Sequence, residues 1–122
     1  MATRSTIGIV RKDGSKSRIY CHYDGYLEHN GAILKEHYSD MTKLERLLGL
    51  GNISYLEENL YAPNHSFDHP VDGVTVAYHR DRGEVWDDCA SADEDFNYTF
   101  HEDGGYWTYH KWDEYDDEIV LK

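Results

Sequence analysis

Thr3-Arg4-Ser5-Thr6-Ile7-Gly8-Ile9-Val10-Arg11-Lys12-Asp13-Gly14-Ser15-Lys16-Ser17-Arg18-Ile19-Tyr20-Cys21-His22-Tyr23 reads as two β-strands joined by a tight turn. Thr3 to Val10 is β-branched and apolar, and Lys16 to Tyr23 alternates, with Ile19, Cys21 and Tyr23 on one face and Arg18, Tyr20 and His22 on the other. Asp13-Gly14 supplies the turn, because glycine takes the positive φ that a tight hairpin needs. From Tyr26 the period lengthens. Leu27, Ile33, Leu34 and Tyr38 fall near helical spacing, interrupted by Gly31, which costs a helix about 1 kcal/mol relative to Ala. Met41, Leu44, Leu47 and Leu48 form the stripe of a second short helix, with Ser39 or Asp40 as its N-cap and Gly49 and Gly51 ending it.

Further out, Asn52–Leu60 has room for another helical turn, and Pro63 and Pro70 bracket an irregular link. Gly73 to Arg80 alternates as a strand, Asp81-Arg82-Gly83 reads as a turn, and Glu84 to Asp95 as an acidic loop with room for a short helix. Phe96, Tyr98 and Phe100 alternate with polar residues as a half-buried strand. Asp103-Gly104-Gly105 turns the chain into a partner strand, Tyr106 to Trp112, and Ile119-Val120-Leu121 is a closing edge strand. The expectation is a single α+β domain over residues 1–122: an N-terminal hairpin (3–24), a helical segment (26–50) and acidic, aromatic C-terminal strands (73–121). Its antiparallel sheet has about five strands, with two short helices on one face.

At 122 residues the chain can bury roughly two-thirds of the surface it exposes when unfolded. Only 39% of it is hydrophobic, but eleven Tyr, three Trp and three Phe compensate, since each aromatic buries about 150–250 Å². Charge is segregated. Residues 1–50 carry eight Lys/Arg and six Asp/Glu; residues 51–122 carry four and eighteen, giving the net −12. Glu84 to Glu118 holds thirteen carboxylates and one lysine, Lys111. Such a field repels nucleic acid and membrane surfaces and attracts basic partners. There is no apolar run near eighteen residues and no signal-peptide stretch at the N-terminus, and two cysteines, Cys21 and Cys89, are too few for a disulfide framework. A cytoplasmic setting is expected.

The run Thr3-Arg4-Ser5-Thr6-Ile7, the turn Asp13-Gly14 and above all Ile19-Tyr20-Cys21-His22-Tyr23-Asp24-Gly25-Tyr26 resemble a group of small bacteriophage and prophage proteins. The resemblance continues through Gly73-Val74-Thr75 and Tyr78-His79-Arg80-Asp81-Arg82-Gly83-Glu84 into the C-terminal aromatic hairpin, and so covers most of the chain. Members often carry Pro where this chain has Leu27, and their loop around Asp87 to Asp95 varies. The resemblance implies a phage accessory protein in the bacterial cytoplasm, of a kind that often blocks host machinery or defences. It implies no catalytic residues.

Four constellations are candidates for function. The acidic block can imitate the phosphate row of nucleic acid, and its binding would then weaken with salt; Asp87, Asp88, Asp93, Glu94, Asp95, Asp113, Glu114, Asp116 and Asp117 supply the field. The aromatics Trp107, Tyr109 and Trp112 supply contact area of the kind found at interface hot spots, or a homodimer face. His22 and Asp24 share a strand face and suit a metal, an acid–base pair or a small nucleotide, whereas Cys21 points the other way. His65 and His69, at i and i+4, have metal-ligand spacing, but Pro70 disfavours a helix there. The bland readings are a solvated acidic loop, a buried Cys21 with a local His22–Asp24 hydrogen bond, and a structural 65–69 loop. No activated cysteine context, Gly-x-Ser-x-Gly elbow or phosphate-binding glycine loop occurs.

The sequence therefore favours a binding protein over an enzyme, with no cofactor. It is expected to inhibit a host nucleic-acid-handling or defence protein (anti-CRISPR or anti-restriction type) through an acidic surface that meets a basic one. Direct binding to nucleic acid or membrane is not expected. The alternatives are a metal-dependent enzyme or small-nucleotide binder centred on His22 and Asp24, and a self-associating structural protein.

Overall fold

A computed structural model describes residues 3–112 and 118–121. In chain order the elements are β1 (Ser5–Val10), β2 (Lys16–Cys21), a single π-helical turn (Leu27–Gly31), α1 (Ala32–His37), α2 (Met41–Leu48), β3 (Ile53–Tyr55) and β4 (Val76–Ala77). There follow α3 (Tyr78–Arg82), β5 (Phe96–His101), β6 (Tyr106–Lys111) and β7 (Ile119–Val120). The α+β class expected from the sequence holds, but the sheet is larger and mixed. Seven strands run in the order β4-β3-β2-β1-β5-β6-β7.

Local patterns set the two hairpins. β1 and β2 pair antiparallel with Ile7 opposite Ile19, across a turn in which Gly14 takes φ +87°. β5 and β6 pair antiparallel with Tyr98 opposite Tyr109 and Phe100 opposite Trp107; Gly104 and Gly105, at φ +98° and +64°, make their turn. The hairpins then join side by side through a parallel β1–β5 pair, Ile7 opposite Tyr98, and a short parallel contact ties β2 to β3. An all-antiparallel sheet fails because parallel neighbours need a long crossover, which the 22–95 excursion provides.

Three further local expectations change. Asn52–Leu60 contributes β3 and the core residues Ile53 and Leu56, not a helical turn. The strand read over Gly73–Arg80 shortens to β4, because Tyr78–Arg82 winds into α3 and ends at Gly83, φ +76°. The helix read from Tyr26 divides at Gly31, which packs against the Tyr98 ring. α2 starts where expected: the Asp40 carboxylate accepts from the Thr42 N–H at 3.3 Å, and Gly49 is its C-cap.

One sheet face carries Ile7, Ile9, Ile19, Tyr98, Phe100 and Trp107, which cluster with Leu34 of α1 and Leu44, Leu47 and Leu48 of α2. The Tyr98 hydroxyl donates to the Gly25 carbonyl at 2.6 Å, so this large ring is buried with its polar end satisfied. The opposite face is buried too, but by polar groups. Thr6, Asn97, Thr99, Thr108 and His110 are all less than 9% exposed. Arg18 lies across Gly8, where a Cβ would come within 2.5 Å of its guanidinium carbon. The guanidinium donates to the Thr6 hydroxyl (3.0 Å), the Thr99 hydroxyl (2.6 Å) and the Tyr98 carbonyl (2.9 Å), and burial pulls its pKa down to about 10.

Candidate functional site

The acidic segment Glu84–Asp95 is fixed to this polar side of the sheet. β3 meets β2 only at Cys21, which leaves the outer edge of β2 free around Arg18. The acidic segment takes that edge: the Arg18 N–H donates to the Asp88 carbonyl, and the Ala90 N–H to the Arg18 carbonyl, both at 2.9 Å. Trp86 anchors one end by donating its indole N–H to the Gly49 carbonyl at 2.9 Å. Gly51 opens the space, because a Cβ there would stand 2.8 Å from the indole. At the other end Asp95 accepts from the Arg4 N–H, Glu94 is looped back onto Asn97, and the Ala92 carbonyl lies 3.2 Å from His110 Nε2.

On this scaffold Asp87, Asp93 and Asp95 are exposed, while Asp88 and Glu94 are half-buried. Burial, then the charges of Asp93 and Asp95, push the Glu94 carboxyl above its ordinary value despite Arg4 nearby. Carboxylates crowded this way gain from an incoming cation. Asp113, Glu114, Asp116 and Asp117 lie outside the described residues.

The aromatic candidates separate. Trp107 is only 2% exposed and packs against Phe100 at a centroid distance of 5.3 Å, so it belongs to the core and not to a contact surface. Trp107 and Tyr109 do share a face, but it is the face that α1 and α2 cover; Tyr109 is half-buried. Trp112 is exposed, as are Tyr106 and the edge residues Ile119 and Val120. Trp86, which reaches the surface beside the acidic segment, was not singled out by the sequence; a Trp directly before two aspartates was the available signal.

The histidine candidates do not converge. The His65 side chain is 3% exposed and fully engaged: its Nδ1 accepts from the Val71 N–H, so Nε2 carries the proton and donates to Asp81, both at 3.1 Å. Neither nitrogen is left for a metal. Asp81 also binds Arg80 and the Ala77 N–H, while Arg80 reaches the carbonyls of Leu60 and Thr75. Together these contacts pin the 60–72 excursion to α3. His69 is exposed. His22 Nδ1 lies 2.7 Å from the Tyr20 hydroxyl, and Asp24 takes φ +55°, which ends the strand alternation that had placed the two on one face.

Among the described residues one trio, Asp87, Asp88 and Cys89, brings metal-ligand atoms within 4.8 Å of one another. Its hydrogen bonds are internal, Asp87 capping the Cys89 N–H and Asp88 accepting from the thiol. Neither thiol is activated. The bond to Asp88 raises Cys89, and burial pushes Cys21 up to about 11.

Beside the His22 strand end lies a cleft of about 830 Å³ between β3, α3 and the 67–74 loop. Tyr23, Tyr55, Phe67 and Tyr78 line it, together with the carboxylates of Glu57 and Asp72. Burial, then the charges of Glu57 and Asp24, push the Tyr55 phenol up to about 12. Burial raises Tyr78 as well, with Glu84 adding to it. The local field is negative.

No protein-family profile matches the chain, and neither a curated protein nor a solved structure matches it. No helix among the described residues is long and apolar enough to cross a membrane.

Proposed function

We propose that the chain is a phage-type accessory protein of the bacterial cytoplasm that inhibits a host nucleic-acid-handling or defence protein by laying its acidic segment on a basic groove. The observation that supports this reading is the anchoring of Glu84–Asp95. Two main-chain bonds to Arg18 and the Trp86 indole hold the segment, so its exposed carboxylates need little ordering on binding. Trp86 and Trp112 supply exposed aromatic surface. Among the described residues the side chains of Asp93 and Glu94 make no hydrogen bond or ion pair, whereas Asp87 and Asp95 each accept from a backbone N–H.

The test is capture of partners from a bacterial lysate at low and high salt, with the wild type and with a variant carrying Asp87→Lys, Asp88→Lys, Asp93→Lys and Glu94→Lys. The expected outcome is a basic partner retained at low salt, released at high salt and lost in the variant, whose circular dichroism matches wild type. A partner that survives both the salt and the reversal sinks the reading. A second reading, self-association, draws on exposed Trp112, Ile119 and Val120 beside the β7 edge of the sheet. Light scattering that shows a dimer unaffected by the charge reversal would favour it.

A further inference from the structure

The cleft between β3, α3 and the 67–74 loop has a chemistry of its own. Its walls are the rings of Tyr23, Tyr55, Phe67 and Tyr78, and its fixed charges are the acidic Glu57 and Asp72 and the basic Arg82. Aromatic faces carry negative quadrupole density and attract cations, most strongly where water is partly excluded. Glu57 sharpens this preference. Its side chain is 23% exposed, and its nearest cationic neighbour is His29 at 3.8 Å, which is charged only when protonated. A half-buried carboxylate with no permanent cation at ion-pair distance among the described residues gains from a cation brought to it.

The wall already holds such a group. The guanidinium of Arg82 sits 4.8 Å from the centre of the Phe67 ring, and its charge is answered by Glu84 at 3.4 Å. With Arg82 neutralised by its own partner, Glu57 and Asp72 leave the cleft net negative. A nucleotide or other anion would meet two carboxylates there. The volume, about 830 Å³, is that of a small-molecule site and exceeds what one guanidinium fills, so a longer aliphatic cation or a side chain with its neighbours fits.

We propose that this cleft binds an organic cation, a guanidinium or alkylammonium group, held on the aromatic walls with its charge against Glu57 and Asp72. Arg82 occupies the mouth in its absence and competes with the ligand. Of the acidic segment only Glu84 enters this inference, as the partner of Arg82; no residue from 84 to 95 lines the cleft.

The experiment is an NMR titration of the full chain with agmatine, with a short acetylated Arg-containing peptide and with AMP, read at the backbone amides of Ser54, Glu57, Gly73 and Val74. Saturable shifts are expected with agmatine and the peptide and not with AMP. Glu57→Gln should weaken agmatine about ten-fold, and Tyr23→Leu, at an exposed ring, about three-fold. Arg82→Gln should instead tighten binding about three-fold, because it removes the internal competitor. Opposite signs for Glu57→Gln and Arg82→Gln distinguish a cation site from a general loss of structure. Tighter peptide than agmatine binding identifies a protein side chain as the source of the cation; equal affinities identify a free amine. Absence of saturation by either cation overturns the proposal, as does saturation by AMP that Arg82→Gln abolishes.

Discussion

The two faces of the sheet are both buried, and by opposite means. On one, Ile7, Ile9, Ile19, Phe100 and Trp107 meet the leucines of α1 and α2, and burial itself supplies the stability at about 25 cal/mol per Å². On the other, the Arg18 guanidinium lies over Thr6 and Thr99, and the acidic segment meets Asn97 and His110 through the main chain of Glu94 and Ala92. There, stability depends on every donor finding an acceptor, because an unmet buried polar group costs about 1–3 kcal/mol. The apolar face tolerates a substitution that keeps volume; the polar face tolerates one that keeps hydrogen bonds. The segment is held there by main-chain bonds to Arg18 and by the side chains of Trp86, Asp95 and Asn97.

The largest expected effect breaks the apolar side. Phe100→Ala should cost about 3–5 kcal/mol in urea unfolding, with the slope unchanged if the loss is packing alone. On the polar side Arg18→Met keeps much of the volume and removes three charge-assisted bonds, so a loss of about 1–3 kcal/mol is expected. Gly8→Ala sharpens the contrast: it should destabilise the wild type by displacing the guanidinium and be close to neutral in the Arg18→Met background. Equal costs of Gly8→Ala in both backgrounds would mean that Arg18 does not rest on Gly8.

The smallest effect belongs to neither face. Burial pushes the Asp81 carboxyl up, but bonds from Arg80, the Ala77 N–H and His65 outweigh it and hold the pKa below the ordinary 3.8. A depressed carboxyl contributes stability that is present above its unfolded value and lost as pH falls through the folded one. Acid below about pH 4 should therefore release the 60–72 excursion first. Limited proteolysis by an acid protease, mapped by mass spectrometry, should cut there while β1, β2 and β5 stay intact. Asp81→Asn should open the same 60–72 segment at neutral pH to a protease active there.

Features written within a few residues were legible in the sequence. The Asp13-Gly14 hairpin, the Asp40-capped α2 and the Phe96–Lys111 hairpin each carry their own turn, cap or alternation. What was not legible depends on partners far along the chain. Alternation in β1 says which side chains share a face and nothing about pairing with Phe96–His101, so the parallel core of the sheet left no local trace. Trp107 shows the same limit at a single residue: alternation puts it on one face with Tyr109, but which face the helices cover is decided by tertiary packing. For the acidic segment, composition gave the charge. Its attachment to Arg18 is made by main-chain atoms, which no residue type announces.

The central place of β1 sets a schedule for synthesis. Thr6 bonds Asn97, 91 residues later, so β1 is completed only by a strand made long after it. At about 5–20 residues per second a nascent chain leaves that inner strand edge open for on the order of 10 s. Its sequence, Ser5-Thr6-Ile7-Gly8-Ile9-Val10, is short, uncharged and β-prone. During that interval the growing chain is exposed to edge-to-edge association with its neighbours on the same message, and the nearby cations Arg4, Arg11 and Lys12 stand at either end of the strand as its local defence.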